Sequence, residues 1–132
     1  MRIGFVVNKL ETEEAGFTTT RLALAAVQHG HECFTFSVGD FIYAPDGSIH
    51  AWARVPKHKK YKSLEKFLDE LQAEDAKKER ICVDDLDVLV LRNDPSIDAV
   101  ERPWAQTAPI LFGQFAVGRG VLVVNDPEHL AT

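Results

Sequence analysis

The sequence predicts an α/β fold: an open, mostly parallel sheet with helices on both faces and a β-hairpin inserted into it. Three observations lead there. Val88-Leu89-Val90-Leu91 is a continuous apolar run of strand length, β-branched at every other position, as in a strand covered on both faces. Arg2–Val7 and the stretch Val121-Leu122-Val123-Val124 are two more buried-strand runs. Residues 1–37 then read strand, polar loop, helix, strand, a β-α-β unit whose crossover is right-handed.

Taken in order, the first strand stops at Asn8-Lys9, and the acidic residues 10–17, which include Gly16, read as a loop at its carboxyl end. Thr18, Thr19 and Thr20 precede a run of helix formers, so one of them is the expected N-cap, and Gly30 stands where the helix ends. Glu32–Ser37 is the second strand. Phe41-Ile42-Tyr43-Ala44 and Ile49-His50-Ala51-Trp52-Ala53 flank Pro45-Asp46-Gly47-Ser48, whose Asp-Gly pair signals a tight hairpin turn. The basic run Lys57-His58-Lys59-Lys60-Tyr61-Lys62 reads either as a solvated linker or as a contact to an anion or another subunit.

Ser63 caps a helix in which Leu64, Phe67, Leu68 and Leu71 fall on one stripe. The charged residues 72–80 are expected to continue that helix into solvent or to fray. After the central strand, residues 96–102 are a polar connection. Pro103 suits a first helical turn, and Trp104, Ala108, Leu111, Phe112 and Phe115 recur at helical spacing, with Pro109 as a kink or the true start. Gly118 and Gly120 end that helix before the last strand. Asn125-Asp126-Pro127-Glu128 is a helix start with few residues behind it, so the chain is expected to be a single domain, 1–132, cut from a longer polypeptide.

The bulk numbers narrow the function. With 132 residues, 45% of them hydrophobic and 27% charged, the chain buries one core. A net charge of -5 argues against a nucleic-acid or anionic-membrane partner. Cys33 and Cys82 sit in apolar contexts without metal spacing, as reduced core thiols of a cytoplasmic protein. No apolar segment approaches spanning length, and no secretion signal precedes the first strand. Residues 8–16 match neither the dinucleotide nor the Walker phosphate loop. The five histidines lack ligand spacing, and no nucleophile elbow is present, so no metal or cofactor is expected on this chain itself.

What remains is the carboxyl edge of the sheet, where open α/β sheets bind ligands. Asn8 and Lys9 after the first strand, Arg92, Asn93 and Asp94 after the central one, and Asn125 after the last should meet there. The start of the first helix adds Thr18, Thr19 and their amides, so the edge reads as a rim that receives anions. Each residue has a plainer reading beside it. Arg92 and Asp94 suit a structural ion pair, the threonines helix capping, and Asn125 a loop or cap hydrogen bond.

Four segments together carry a resemblance. They are Arg2–Val7, Gly39-Asp40, the stretch Leu86-Asp87-Val88-Leu89-Val90-Leu91-Arg92-Asn93-Asp94-Pro95, and Gly120-Val121-Leu122-Val123-Val124-Asn125-Asp126-Pro127. In that order, over nearly the whole chain, they resemble the N-terminal domain of bacterial glutathione synthetases and related ATP-grasp ligases. The resemblance implies a Rossmann-like pre-ATP-grasp domain, followed in cis by an ATP-grasp domain that holds ATP and magnesium. It implies a complete enzyme that phosphorylates a small carboxylate substrate and lets an amine substrate attack the acyl phosphate, while this part alone is inactive. By that similarity Arg92 is the catalytic arginine facing the substrate, Asp94 and Pro95 shape its loop, and the threonines lie near the acceptor. Asn8-Lys9 replaces the family's Asp-Pro, and Asn93-Asp94-Pro95-Ser96 its Lys-Asp-Pro-Pro, which leaves the acid and the amine open. The competing reading is a standalone module for a small anion or for dimerisation, with part of the face bearing Trp104, Phe112 and Phe115 turned to a homo-oligomer partner; core packing is the plainer reading of that face.

Overall fold

A seven-stranded sheet organises the chain, in the order β3-β4-β2-β1-β6-β7, with β5 paired to β4. The strands are β1 (Arg2–Val7), β2 (Glu32–Ser37), β3 (Phe41–Tyr43), β4 (Ile49–Val55), β5 (Lys77–Cys82), β6 (Val88–Leu91) and β7 (Leu122–Val124). Helix α1 (Thr18–Gln28) follows β1, and α2 (Leu64–Gln72) lies between β4 and β5. The computed structural model describes residues 1–14, 16–92, 113–114, 116–118 and 120–124. The expected residues Asn93, Asp94, Trp104, Phe112, Phe115 and Asn125 lie outside these.

The sheet is mixed where a mostly parallel one was expected. Strands β2, β1, β6 and β7 pair in parallel, whereas β4 runs antiparallel to β2, β3 and β5. The reason is the hairpin: it does not decorate the sheet but carries the β4 partner of β2. Thr35 stands opposite Arg54 and Phe41 opposite Ala51, so six steps along β2 and β3 face three along β4. The surplus is the 3-10 turn Val38–Asp40, closed by a capping box between Ser37 and Asp40. It returns Phe41 to the Phe36 ring, edge to face at 5.7 Å. At the hairpin tip Gly47 takes φ 86°, as the Asp-Gly signal requires.

Alternation sorts the core into two layers. Ile3, Phe5 and Val7 of β1 point to the side covered by α1 and α2, where Leu24, Val27, Phe67, Leu68 and Leu71 are buried with them. Val6, Phe34, Phe36, Leu89 and Leu91 point to the other side, which β4, β5 and Ala116 of the helical residues 116–118 close. Strand β6 is therefore fully buried through Leu89 and Leu91, and half-buried through Val88 and Val90. Gly4 keeps β1 close to this layer: a Cβ there would stand 2.9 Å from Leu86 Cδ1 and 3.3 Å from Leu89 Cδ1. Asp87 fixes the β1–β6 register, because its amide donates to Arg2 O at 2.9 Å and its Oδ2 accepts from Arg2 N at 2.8 Å.

Helix ends agree with the sequence in part. Helix α1 closes in a Schellman motif, with Gly30 at φ 89°, Gly30 N donating to Val27 O and His31 N to Ala26 O. Gly120, at φ 85°, repeats it, with Gly120 N donating to Val117 O and Val121 N to Ala116 O. The α2 start is as expected, Ser63 Oγ accepting from Lys66 N at 3.2 Å. The α1 start is not. Phe17 occupies the N-cap without a side-chain bond, and the threonines form the first turn, since Arg21 N already donates to Phe17 O.

Beyond α2 the expectation of a fraying helix fails, since Lys77–Cys82 is a strand. It pairs with β4 from His50↔Cys82 to Val55↔Lys77 and buries Ile81. Its charged side chains suit an edge strand, where they discourage pairing with another chain. Among the described residues no helix is long and apolar enough to cross a membrane.

Candidate functional site at the carboxyl edge of the sheet

The four parallel strands end on one rim, and among the described residues polar side chains follow β1 and β6 there. Arg92 extends the β6 ladder one step, its amide donating to Val6 O at 2.9 Å. That places it beside the end of β1, exposed to solvent. Its Nε donates to Thr19 Oγ1 at 3.4 Å, the long end of the hydrogen-bond range, so the guanidinium leans on the first turn of α1 without being consumed there. Thr18 is exposed, Thr19 is buried, and Thr20, also buried, donates its hydroxyl to Glu14 O at 3.0 Å. Asn8, half-exposed, directly follows β1. The structure thus brings Arg92, Asn8, Thr18 and Thr19 to the same edge. Asn93, Asp94 and Asn125 belong to the part not described.

Glu13 is a rim residue that sequence reasoning missed. Burial pushes its carboxyl above the ordinary value, and the positive charge of Arg92 pulls it partly back. The signal was the acidic character of residues 10–17, read only as that of a loop.

That loop is tied down by distant residues. Leu10 is buried, and its amide donates to Ser37 Oγ at 2.9 Å. Gln72, the last residue of α2, donates its amide to Leu10 O at 2.8 Å and to Glu13 O at 2.9 Å. Arg54 donates from one guanidinium nitrogen to Leu71 O at 2.8 Å and Ala73 O at 3.2 Å, and its other lies 3.8 Å from Glu11 Oε1. Asp40, which accepts from Ser37 N at 2.8 Å, is itself raised by burial. The rim is therefore held from below by the ends of β2, β4 and α2. Beside this loop the exposed guanidinium of Arg92 can grip a carboxylate.

Both cysteines are free. Cys33 is buried, and desolvation pushes its thiol to about 11, so it is not a nucleophile. Among the described residues no group of three or more His, Cys, Asp and Glu side chains is placed to hold a metal ion.

The family model for the prokaryotic glutathione synthetase N-terminal domain matches residues 1–131. The chain belongs to this family. In this chain the two ends of the Asp-strand-Arg segment sit in separate places. Asp87 clamps the start of β1, and Arg92 stands at the opposite end of β6 on the rim. A comparison with curated proteins gave no match.

Proposed function

We propose that this chain is the substrate-side domain of an ATP-dependent carboxylate-amine ligase, forming an amide bond of the glutathione type. The observation that carries the reading is the place of Arg92: on the carboxyl edge, solvent-exposed, and leaning on the positive end of α1. Its planar fork suits a substrate carboxylate, and its fixed charge suits the negative charge that builds up as that group reacts. Thr18, Thr19 and Asn8 would stand on the same edge, with Asn93, Asp94 and Asn125 expected beside them. The described residues fit neither ATP nor magnesium, for they offer no phosphate loop and no carboxylate cluster. Both belong, on this proposal, to an ATP-grasp domain in cis. The free thiols fit a cytoplasmic setting.

The test is ATP-dependent ADP release by this domain joined in one polypeptide to the ATP-grasp domain that the proposal requires, with γ-glutamylcysteine first among the acids and a panel of amino acids as amines. Arg92→Ala is expected to lower turnover about a hundredfold or more while the fold is kept, as when a preorganised charge-stabilising donor is removed. An unchanged rate removes Arg92 from the site. No release with any acid and amine pair removes the ligase reading.

A further inference from the structure

The opposite rim holds a feature that the carboxyl-edge chemistry does not use. A cleft of about 510 Å³ opens where β1 and β2 begin and β4 ends. Four permanent cations line it, Arg2, Lys57, Lys59 and Lys77, against two carboxylates, Glu32 and Glu79, with His31 and His58 alongside. This local excess of positive charge stands on a chain whose net charge is -5, so it is not a sample of the average surface. The volume lies within the range of small-molecule sites, but the lining is charged where such sites are mostly apolar.

The basic run is exposed, as a solvated linker is, but its backbone is anchored to α2. Lys57 N donates to Glu70 Oε1 at 2.7 Å, and Tyr61 donates its hydroxyl to the same oxygen at 2.5 Å. His58 N donates to the Tyr61 hydroxyl at 3.2 Å, and His58 Nε2 lies 3.7 Å from Glu70 Oε2. The Tyr61 ring packs edge to face on Phe67 at 5.1 Å, which fixes the assembly to α2. The loop is thus anchored through its backbone, and Lys57 and Lys59 keep their side chains exposed.

The ion pairs already present are loose. Lys57 Nζ lies 3.7 Å from Asp75, Lys77 Nζ lies 3.4 Å from Glu79, and exposed pairs of this kind are weak and screened by water. Arg2 Nε, buried over the Phe34 ring, lies 3.2 Å from Glu32 Oε2 but outside hydrogen-bonding geometry. An anion with several oxygens would replace these contacts with better ones.

We propose that this amino-edge cleft is a binding site for a small phosphate-bearing anion, distinct from the carboxyl-edge rim. The assignment is independent of the ligase reading. It is tested by calorimetric titration of the protein with inorganic phosphate, pyrophosphate and glycerol 3-phosphate as separate probes, which distinguish a free phosphate from an esterified one. Saturable binding of at least one probe is expected, weakened tenfold or more in the Lys57→Gln/Lys59→Gln double variant, whose exposed substitutions leave the melting temperature unchanged. Arg92→Ala should bind the same probe with parental affinity. Absence of saturable binding for all three probes, equal affinity in the double variant, or loss of binding in Arg92→Ala each overturns the proposal.

Discussion

Glu13 pairs a half-buried carboxyl with a nearby guanidinium, and the two effects on its titration oppose each other. Desolvation is the larger, so the folded-state pKa stands above the unfolded value. The ionised form is then the one disfavoured in the folded chain. The penalty is fully present above the folded pKa and fades as pH falls through it. Glu13→Gln removes the penalty, and the variant is expected to melt above the parent at neutral pH. Its advantage should shrink as pH is lowered into the carboxylate range. Calorimetric melts of both proteins along that pH series check this, and a difference that does not vary with pH would assign the effect to something other than the charge. Asp40 is raised in the same direction but is common to both proteins, so it cancels.

Elements whose pattern is local were readable from the sequence, and those that depend on a partner were not. The bounds of β1 and β2, the hairpin turn, the Leu64-Phe67-Leu68-Leu71 stripe and its Ser63 cap all follow from periodicity and capping chemistry within a few residues. Strand β5 was missed because Lys-Lys-Glu-Arg has no strand pattern of its own; β4 imposes it. The ends of the strands pointed to the carboxyl edge, and Arg92 lies there, one step past β6. Ser37, Arg54 and Gln72, which hold the rim loop, gave no signal, since their partners are 17 to 62 residues away. Arg54 makes the point measurable. It satisfies two carbonyls at the α2 end from a neighbouring strand, and Arg54→Ala is expected to cost about 2 kcal/mol in urea unfolding, the range for hydrogen bonds to a charged group. Arg54→Lys, lacking the planar fork, should recover only part of it. A loss within error for the alanine variant would show that water replaces the guanidinium at no cost.

At the scale of the whole molecule, β1 is the hub. It pairs in parallel with β2 on one side and β6 on the other, and contributes side chains to both buried layers. Its central amides, Phe5 to Val7, are expected to exchange with solvent most slowly, at rates set by global unfolding. Amides of β5 that face away from β4 should exchange orders of magnitude faster. Hydrogen exchange followed by mass spectrometry or NMR reads both, and equal protection of the two strands would refute the hub. The ties on the loop after β1 carry a consequence for engineering. Its two carbonyls and one amide hang from an α2 residue and from the last residue of β2, so a recipient scaffold given only the Arg92 strand and its helix inherits a guanidinium without a floor. Moving Arg92 together with the ties on the neighbouring loop means moving everything from Met1 to Arg92 as one block.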